Sequence, residues 1–522
     1  MTSVSPPATE PDHRGNLEKF ARRGTASVVG AGFSAVFGVV LVAIVTNGFS
    51  PALAGTLFAA TSTFLILEAV ALLGTDTGLV RCVPTLLASG RAADLRRTLV
   101  VAAIPVLGLS LGLAACLYAG ASSLAPYLVG ADAAPTMSVM LRALALVLPV
   151  ATLHDVVLAG TRGTGSMRPT VVVENIGRFG LQAAAVLAVH LAGGGALALA
   201  LAWSLPYLVG LTLGGSWLHV LVARRATASG TPTAWATVAR EFWAYTAPRA
   251  IARIIQAGLK RSDIVLVAAL ASPADAALYT AATRFVVLGQ LFIQSVQQAL
   301  SPHVSSLFAR GERSAANSVF QAATLWSMIA AWPLYLATAG FAPTLLGVFG
   351  DGYAAASDVV VILSLTMLLA TACGPVDAVL LMAGRSWLSL RNNAVALALN
   401  VGLSVALIPG AGLRGAAIAH SVAIVVRNLL PLVQVRRQLG MWPVTRATVR
   451  VGLASSVCFG GVAIVAVAAG FPVAVDVALL GASLLVYVYG VWSWRAPLGL
   501  GAFRSALRRR PAPQTPGLAV EG

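Results

Sequence analysis

An all-α polytopic membrane protein is predicted by three observations on this 522-residue chain. Nearly all of it is a train of about fourteen apolar segments, each roughly 20 residues long, the length a helix needs to cross about 30 Å of hydrocarbon. Hydrophobic residues make up 58% and charged residues only 10%, more apolar surface than a water-soluble fold of this size can bury. Arginines cluster at every second connection, which sets an orientation. The segments must be helices, because only a helix or a closed barrel satisfies its backbone hydrogen bonds without water.

Taken in order, the spans run Thr25 to Thr46, Leu53 to Leu73, Thr98 to Tyr118, Val139 to Gly160, Thr170 to Leu191, Leu197 to Leu221 and Tyr245 to Ala271. Seven more follow: Ala276 to Leu300, Ala316 to Ala342, Val359 to Ala383, Asn393 to Ile408, Leu413 to Val433, Val451 to Ala469 and Val473 to Val491. Only Phe471 and Pro472 separate the last pair.

Arg14, Arg22 and Arg23 precede the first span; Arg91, Arg96 and Arg97 follow the second; Arg162 and Arg168 follow the fourth; Arg224 and Arg225 follow the sixth. The series continues through Arg310, Arg313, Arg385, Arg391, Arg436, Arg437, Arg446, Arg450 and the Arg508 to Arg510 cluster. The opposite connections, around Asn47, Asp132, Gly194, Asp275, Asp351 and Gly470, hold few cations, with Arg414 the exception. The positive-inside rule then expects a multi-pass protein of the plasma (inner) membrane with both termini cytoplasmic.

On this reading the net charge of +17 reports topology and attraction to anionic membrane lipid, not nucleic-acid binding. Residues 1–24 read as a cytoplasmic disordered leader without the form of a cleavable signal, and residues 493–522 as a basic cytoplasmic tail. Cys82, Cys116, Cys373 and Cys458 are scattered without metal or redox spacing. No His, Cys or carboxylate cluster has ligand spacing, and no phosphate-cradling GxxxxGK[ST] loop occurs. Neither a metal, a cofactor nor an ATP motor is expected, and the protein is not expected to be an enzyme.

The chain reads as duplicated. Pro51 to Thr61, opening the second span, matches Pro273 to Thr283, opening the eighth, at six of eleven positions without a gap. Because the first and seventh spans start on the same side, the halves share one orientation and are related by an axis along the membrane normal. The expected domains are an N-terminal six-helix lobe over 25–225, a C-terminal six-helix lobe over 226–435 and a terminal helix pair over 436–492.

These stretches resemble the polysaccharide and oligosaccharide-lipid flippase family of the multidrug/oligosaccharidyl-lipid/polysaccharide exporter superfamily. The resemblance is carried by Leu73 to Arg81 (LGTDTGLVR), Ala277 to Arg284 (ALYTAATR), Leu380 to Arg385 (LLMAGR), Leu407 to Pro409 and Gly415 to Ala419. These are packing and turn patterns, so they speak to fold more than to substrate. The resemblance implies two lobes around a central cavity that opens alternately to each side, with the terminal pair outside. It implies translocation of a lipid-linked oligosaccharide across the plasma membrane for cell-surface polysaccharide biosynthesis, with a pyrophosphate-linked glycan as substrate and a polysaccharide polymerase or glycosyltransferases as working partners.

Candidate substrate-binding residues lie on the seventh and eighth spans. Tyr245, Arg249, Arg253, Gln256, Lys260 and Asp263 recur every three or four residues, one face of one helix. A cation at the middle of a span costs about 2.5–3.5 kcal/mol even on the mildest insertion scale, so such a stripe must meet water, an anion or a carboxylate. The register set by Pro51 and Pro273 places Ser27, Ala31, Gly38 and Leu41 opposite Arg249, Arg253, Lys260 and Asp263, so only the second lobe bears the cationic wall. Snorkelling of Arg249 and Arg253 to the surface, or internal pairing of Lys260 and Arg261 with Asp263, are the structural alternatives. On the eighth span Thr283, Gln290, Gln294 and Gln297 form another polar stripe with Arg284 beside it, the glutamine amides suited to sugar hydroxyls or to interhelical packing.

Candidate coupling residues are the carboxylates Glu68, Glu174 and Asp263. Glu68 is a lone acid at the repeat position of Gln290, whereas Glu174 stands four residues before Arg178 and can pair within its helix. Two rival transport readings share much of this pattern: a peptidoglycan lipid-precursor flippase, whose pyrophosphate needs similar cations, and a cation-coupled multidrug exporter, which needs cavity carboxylates instead. A membrane-embedded glycosyltransferase would need a catalytic acid or metal in a sizeable loop, and the loops are short.

Overall fold

The computed structural model describes residues 13–225, 231–470 and 472–494, and among these the chain is helical without a strand. Residues 1–12 of the expected leader, the tail with Arg508 to Arg510, and Phe471 lie outside the described residues, whereas residues 13–24, expected as disordered, open the first helix. The first lobe comprises α1 (His13–Gly48), α2 (Pro51–Ala71), α3 (Thr75–Ala88), α4 (Leu95–Gly163), a π-helical stretch (Thr170–Arg178) running into α5 (Phe179–Leu191), and α6 (Ala196–Ser204) with α7 (Pro206–Ala223) as one pass broken before Pro206. The second half carries α8 (Trp235–Leu270), α9 (Pro273–Ala309), α10 (Arg313–Gly340), the short α11 (Ala342–Leu346), α12 (Ser357–Ala372) with α13 (Val376–Met382), and α14 (Ser386–Leu439). The terminal pair is α15 (Arg446–Ser455) continued through a π turn by α16 (Val462–Ala469), then α17 (Val473–Ser493).

Two of these helices are hairpins. Gly130 has φ 77° inside α4, and Ser122 and Ser138, eight residues to either side of it, meet at 3.3 Å, so the chain doubles back there. Gly412 has φ 54° inside α14, and Asn392 and Gln434 exchange hydrogen bonds of 2.8 and 3.0 Å across it. A single glycine in the left-handed region, where a side chain is disfavoured, does the work of the loops expected around Asp132 and Arg414. With α4 and α14 each counted as two passes, the described chain makes fourteen. By length and composition, nine helices among the described residues can cross a membrane. The charged α8 and α9 are not among the nine, which is itself a clue to their role.

The duplication is visible at the start of α2 and α9. Each begins on a serine cap followed by proline at the first helical position: the Ser50 hydroxyl accepts from Leu53 N–H at 3.3 Å and the Ser272 hydroxyl from Asp275 N–H at 3.0 Å. These equivalent ends cross so closely that a Cβ on Gly55 would lie 1.5 Å from the Pro273 carbonyl oxygen. Glycine is what lets the two repeats touch there.

The apolar core divides unequally. On the half away from the arginine-rich connections, one continuous cluster joins both lobes, with Val45, Leu57 and Phe58 of the first packed with Val267, Ala277, Tyr279 and Phe349 of the second. Nearby, the Asn47 side-chain amide donates to the Val348 carbonyl at 3.0 Å. On the arginine-rich half the core splits into Leu72, Leu79, Val83, Leu95 and Leu218 on one side and Leu307, Phe320, Val379 and Leu432 on the other. The lobes are therefore sealed together at one face and parted at the other. The terminal pair lies against α10, through Val451 with Leu325 and Met328 and through Ala463 with Phe341.

Candidate functional site

Helix α8 joins the lobes. Its first half packs on the first lobe: Phe242 belongs to that lobe's core, and Cβ atoms on Gly74 and Gly78 would meet Ala250 N at 2.9 Å and the Thr246 hydroxyl at 2.3 Å. Its second half packs on the second lobe, where Gly258 faces Leu397 and the Asn400 amide reaches the Ser262 hydroxyl at 3.4 Å. The C-terminal lobe expected over 226–435 thus shares its first helix with its neighbour. The close approach to α3 needs the break at Leu73 (φ 50°) and Gly74 (φ 74°). Leu73 is the sole non-glycine with positive φ among the described residues, a costly conformation for a side chain.

Along α8 the expected stripe separates into three environments. Arg249 has its guanidinium 3.5 Å from the Tyr245 ring centroid and donates one hydrogen bond, to the Tyr245 carbonyl at 2.9 Å. Arg253 faces Asp76 of α3 at 3.6 Å, an ion pair too long for a hydrogen bond, and its Nε is buried without an acceptor. Gln256 and Lys260 are exposed and have neither hydrogen bond nor ion pair among the described residues. Lys260 is exposed, and the charges of Arg253, Arg261 and Arg427 all act on it.

The internal Lys260–Asp263 bridge does not form. Asp263 is buried, accepts from its neighbour's Ile264 N–H at 2.9 Å and faces His420 Nδ1 of α14 at 3.7 Å. On α9, Arg284 donates to the Thr280 carbonyl at 3.2 Å, and Gln290 is half-buried with its amide 4.0 Å from the Met367 sulfur, both packing environments. Gln294 is exposed without a protein partner among the described residues. Gln256 and Lys260 are thus free polar groups among the described residues, the charge of Arg427 acts on Lys260 while that of Asp377 acts on Arg427, and Arg284 and Asp263 are committed to protein contacts.

A second polar group is buried inside the first lobe. The π-helical winding at Thr170–Arg178 carries Glu174, which accepts from Arg178 Nε at 2.8 Å and also bonds its Nη2. The same carboxylate meets His154 Nε2 of α4 at 2.8 Å, and a Cβ on Gly210 would lie 2.5 Å from that imidazole. The Arg178 guanidinium stacks on Tyr207 at 4.5 Å and on Phe179 at 4.2 Å. One turn on, the Gln182 amide donates to the Trp203 carbonyl at 2.7 Å. Glu68, 6% exposed, reaches toward this group from α2 with Oε1 unbonded, within the fields of Asp155, Arg178, Glu174 and Arg253. The Glu174–Arg178 pair was visible from its spacing; His154, Asp76, Tyr207 and His420 come from other passes, and no sequence spacing signals them. Among the described residues no group of three or more His, Cys, Asp or Glu side chains is set to hold a metal ion.

Two pseudo-symmetric helical lobes, sealed at one face and parted at the other around a charged helix, define a multi-pass membrane protein of the transporter fold shared by MATE proteins and MurJ. A MatE family domain matches residues 248–406, the stretch that includes the second half of α8. The inward-facing conformation of a multidrug resistance MATE family transporter of the MOP superfamily superposes with a TM-score of 0.65 at 16% identity, over 78% of this chain and 94% of that one. The lipid II flippase MurJ in an inward closed conformation gives 0.69 at 12% identity, over 90% of this chain and 98% of that one. The outward-facing conformation of a multidrug resistance MATE family transporter gives 0.56 at 17% identity, over 81% and 96%. No curated protein matches the chain in sequence.

Proposed function

We propose that this protein is a flippase that carries a lipid-linked, pyrophosphate-bearing oligosaccharide across the plasma membrane by alternating access, loading it from the cytoplasmic, arginine-rich face for cell-surface polysaccharide biosynthesis. The observation that carries the reading is Lys260, exposed in the second half of α8 without a hydrogen bond or ion pair among the described residues, with the charges of Arg253, Arg261 and Arg427 acting on it. An unpaired cation at this depth costs about 2.5–3.5 kcal/mol. Binding an anion there offsets the cost, and charge-assisted bonds to phosphate are the strong kind. Gln256 and Gln294 add exposed amides suited to sugar hydroxyls.

A cationic drug needs the reverse polarity. Asp76, Glu174 and Asp263 each face a basic partner, Arg253, the Arg178 and His154 pair, and His420. A peptidoglycan lipid precursor offers the same pyrophosphate, and the match to MurJ makes it the second substrate to test. Purified protein in proteoliposomes, supplied with a fluorescent polyprenyl-pyrophosphate oligosaccharide, a fluorescent peptidoglycan precursor or a cationic dye, distinguishes the three. Movement of the oligosaccharide alone is expected; movement of the dye alone overturns the reading.

A further inference from the structure

The seam between α3 and α8 at the arginine-rich face pairs its cations with acids, except at one place. Arg91 bonds Asp94 at 2.9 Å and Glu241 at 3.0 Å, and Arg253 faces Asp76 at 3.6 Å. Between these two, Arg81 of α3 lies 3.8 Å from the Tyr245 ring centroid and Arg249 of α8 lies 3.5 Å from the same centroid. One aromatic ring thus carries two guanidinium groups from two helices. Two like charges sharing one ring repel, and the ring offsets only part of that. Glu241, one turn before Tyr245 on α8, is already bonded to Arg91. Of all the N–H groups on the two guanidiniums, one has an acceptor among the described residues, the Tyr245 carbonyl.

We propose that Arg81 and Arg249, held together by Tyr245, form a phosphate-binding site at the arginine-rich mouth of the cavity, where a phosphorylated lipid headgroup docks before it reaches Lys260. The planar guanidinium fork matches phosphate oxygens two at a time, so a phosphate bridging the pair supplies the acceptors and the negative charge that the protein withholds. The ring fixes both forks in advance, which lowers the ordering cost of binding. Arg249 stands eleven residues before Lys260 on the same helix, roughly 16 Å at 1.5 Å per residue. The two sites are therefore far enough apart to hold separate phosphates. Arg81 is exposed on α3, so the mouth site is open to the headgroup layer. A membrane phospholipid and a polyprenyl pyrophosphate present the same chemistry to it. This inference rests on the flippase reading for its direction, but its binding test does not.

Native mass spectrometry of the purified full-length protein counts bound molecules of two probes, farnesyl pyrophosphate and short-chain phosphatidylglycerol. Wild type is expected to bind two farnesyl pyrophosphates, Arg81→Gln and Arg249→Gln one each with the second weakened at least tenfold, and Lys260→Gln one. Arg310→Gln, an exposed surface change elsewhere on the same face, is expected to bind as wild type does. Loss of both probes from Arg81→Gln identifies a general anionic headgroup site, and loss of farnesyl pyrophosphate alone identifies a carrier-lipid site; both support the proposal. Unchanged binding of both probes by Arg81→Gln and Arg249→Gln overturns it, whatever Lys260→Gln does. Loss on Arg81→Gln with Lys260→Gln unchanged keeps the mouth site and removes the central one.

Discussion

Glu174 and His154 stand twenty positions apart on different passes, yet their side chains meet at 2.8 Å inside the first lobe. Arg178 closes the group from the turn after Glu174, and the π-helical winding at Thr170–Arg178 sets where that turn faces. A half-buried carboxylate shared by a buried arginine and a buried histidine is costly to unpair, since removing it leaves the arginine's charge without solvent, at up to about 3–5 kcal/mol.

Glu174→Gln is therefore expected to lower the thermal stability of the purified protein by about that amount, and Arg178→Leu likewise. The double change Glu174→Gln/Arg178→Leu is expected to cost less than the two together, because neither charge is then stranded. Additive losses in a double-mutant cycle would show that the pair is not coupled.

Asp94 is expected to anchor the linker between the repeats. Its buried carboxylate accepts from Thr233 N–H and the Thr233 hydroxyl, both at 2.7 Å, and from Arg91, while Arg97 bonds the Thr233 carbonyl and lies 5.2 Å from the Trp235 ring centroid. Asp94→Ala strands a backbone donor at about 1–3 kcal/mol and frees the start of α8 from the first lobe. Faster backbone hydrogen exchange at Thr233 to Phe242 is the expected readout. Exchange as slow as in wild type would mean that Asp94 does not hold this segment.

Glu68 is expected to be the carboxylate that couples transport to an ion or proton, being buried with Oε1 unbonded and within the fields of Asp155 and Glu174. Gradient-driven transport in proteoliposomes is expected to persist in Glu68→Gln only as a slow, gradient-insensitive leak. If rate and gradient response both match wild type, Glu68 is a packing residue.

Orientation rests on the alternating arginines. A reporter active only in the cytoplasm is expected to work when fused after Arg225 and to fail when inserted beside Asp132. The opposite pattern would invert the direction of transport proposed here.

The sequence carried the helical class, the passes and the duplication, because hydropathy length and a repeated Pro-Ala start are local signals. It also carried the Glu174–Arg178 pair, a one-turn spacing. What it could not carry was contact between passes. Nothing in spacing shows that Asp76 takes part of Arg253's charge, that His420 stands before Asp263, or that Tyr245 gathers Arg81 as well as Arg249. Helix ends also moved. The first half of α8 runs ten residues earlier than hydropathy suggested, since Trp235 to Ala244 is amphipathic and finds its apolar partners on the first lobe. Arg225, which reads as a surface residue from sequence, is half-buried with Nη1 unbonded, so it serves poorly as a neutral control.

Lys260 decides the central claim, because unlike Arg253 it has no protein partner whose loss would confuse the result. The measurement is the flipping rate of a polyprenyl-pyrophosphate oligosaccharide in proteoliposomes for wild type, Lys260→Gln and the exposed control Arg310→Gln at matched protein density. Charge-assisted bonds to phosphate are worth about 1.5–3 kcal/mol, so Lys260→Gln is expected to flip roughly ten- to a hundredfold more slowly while Arg310→Gln keeps the wild-type rate. Wild-type flipping by Lys260→Gln would contradict anion recognition at the middle of α8.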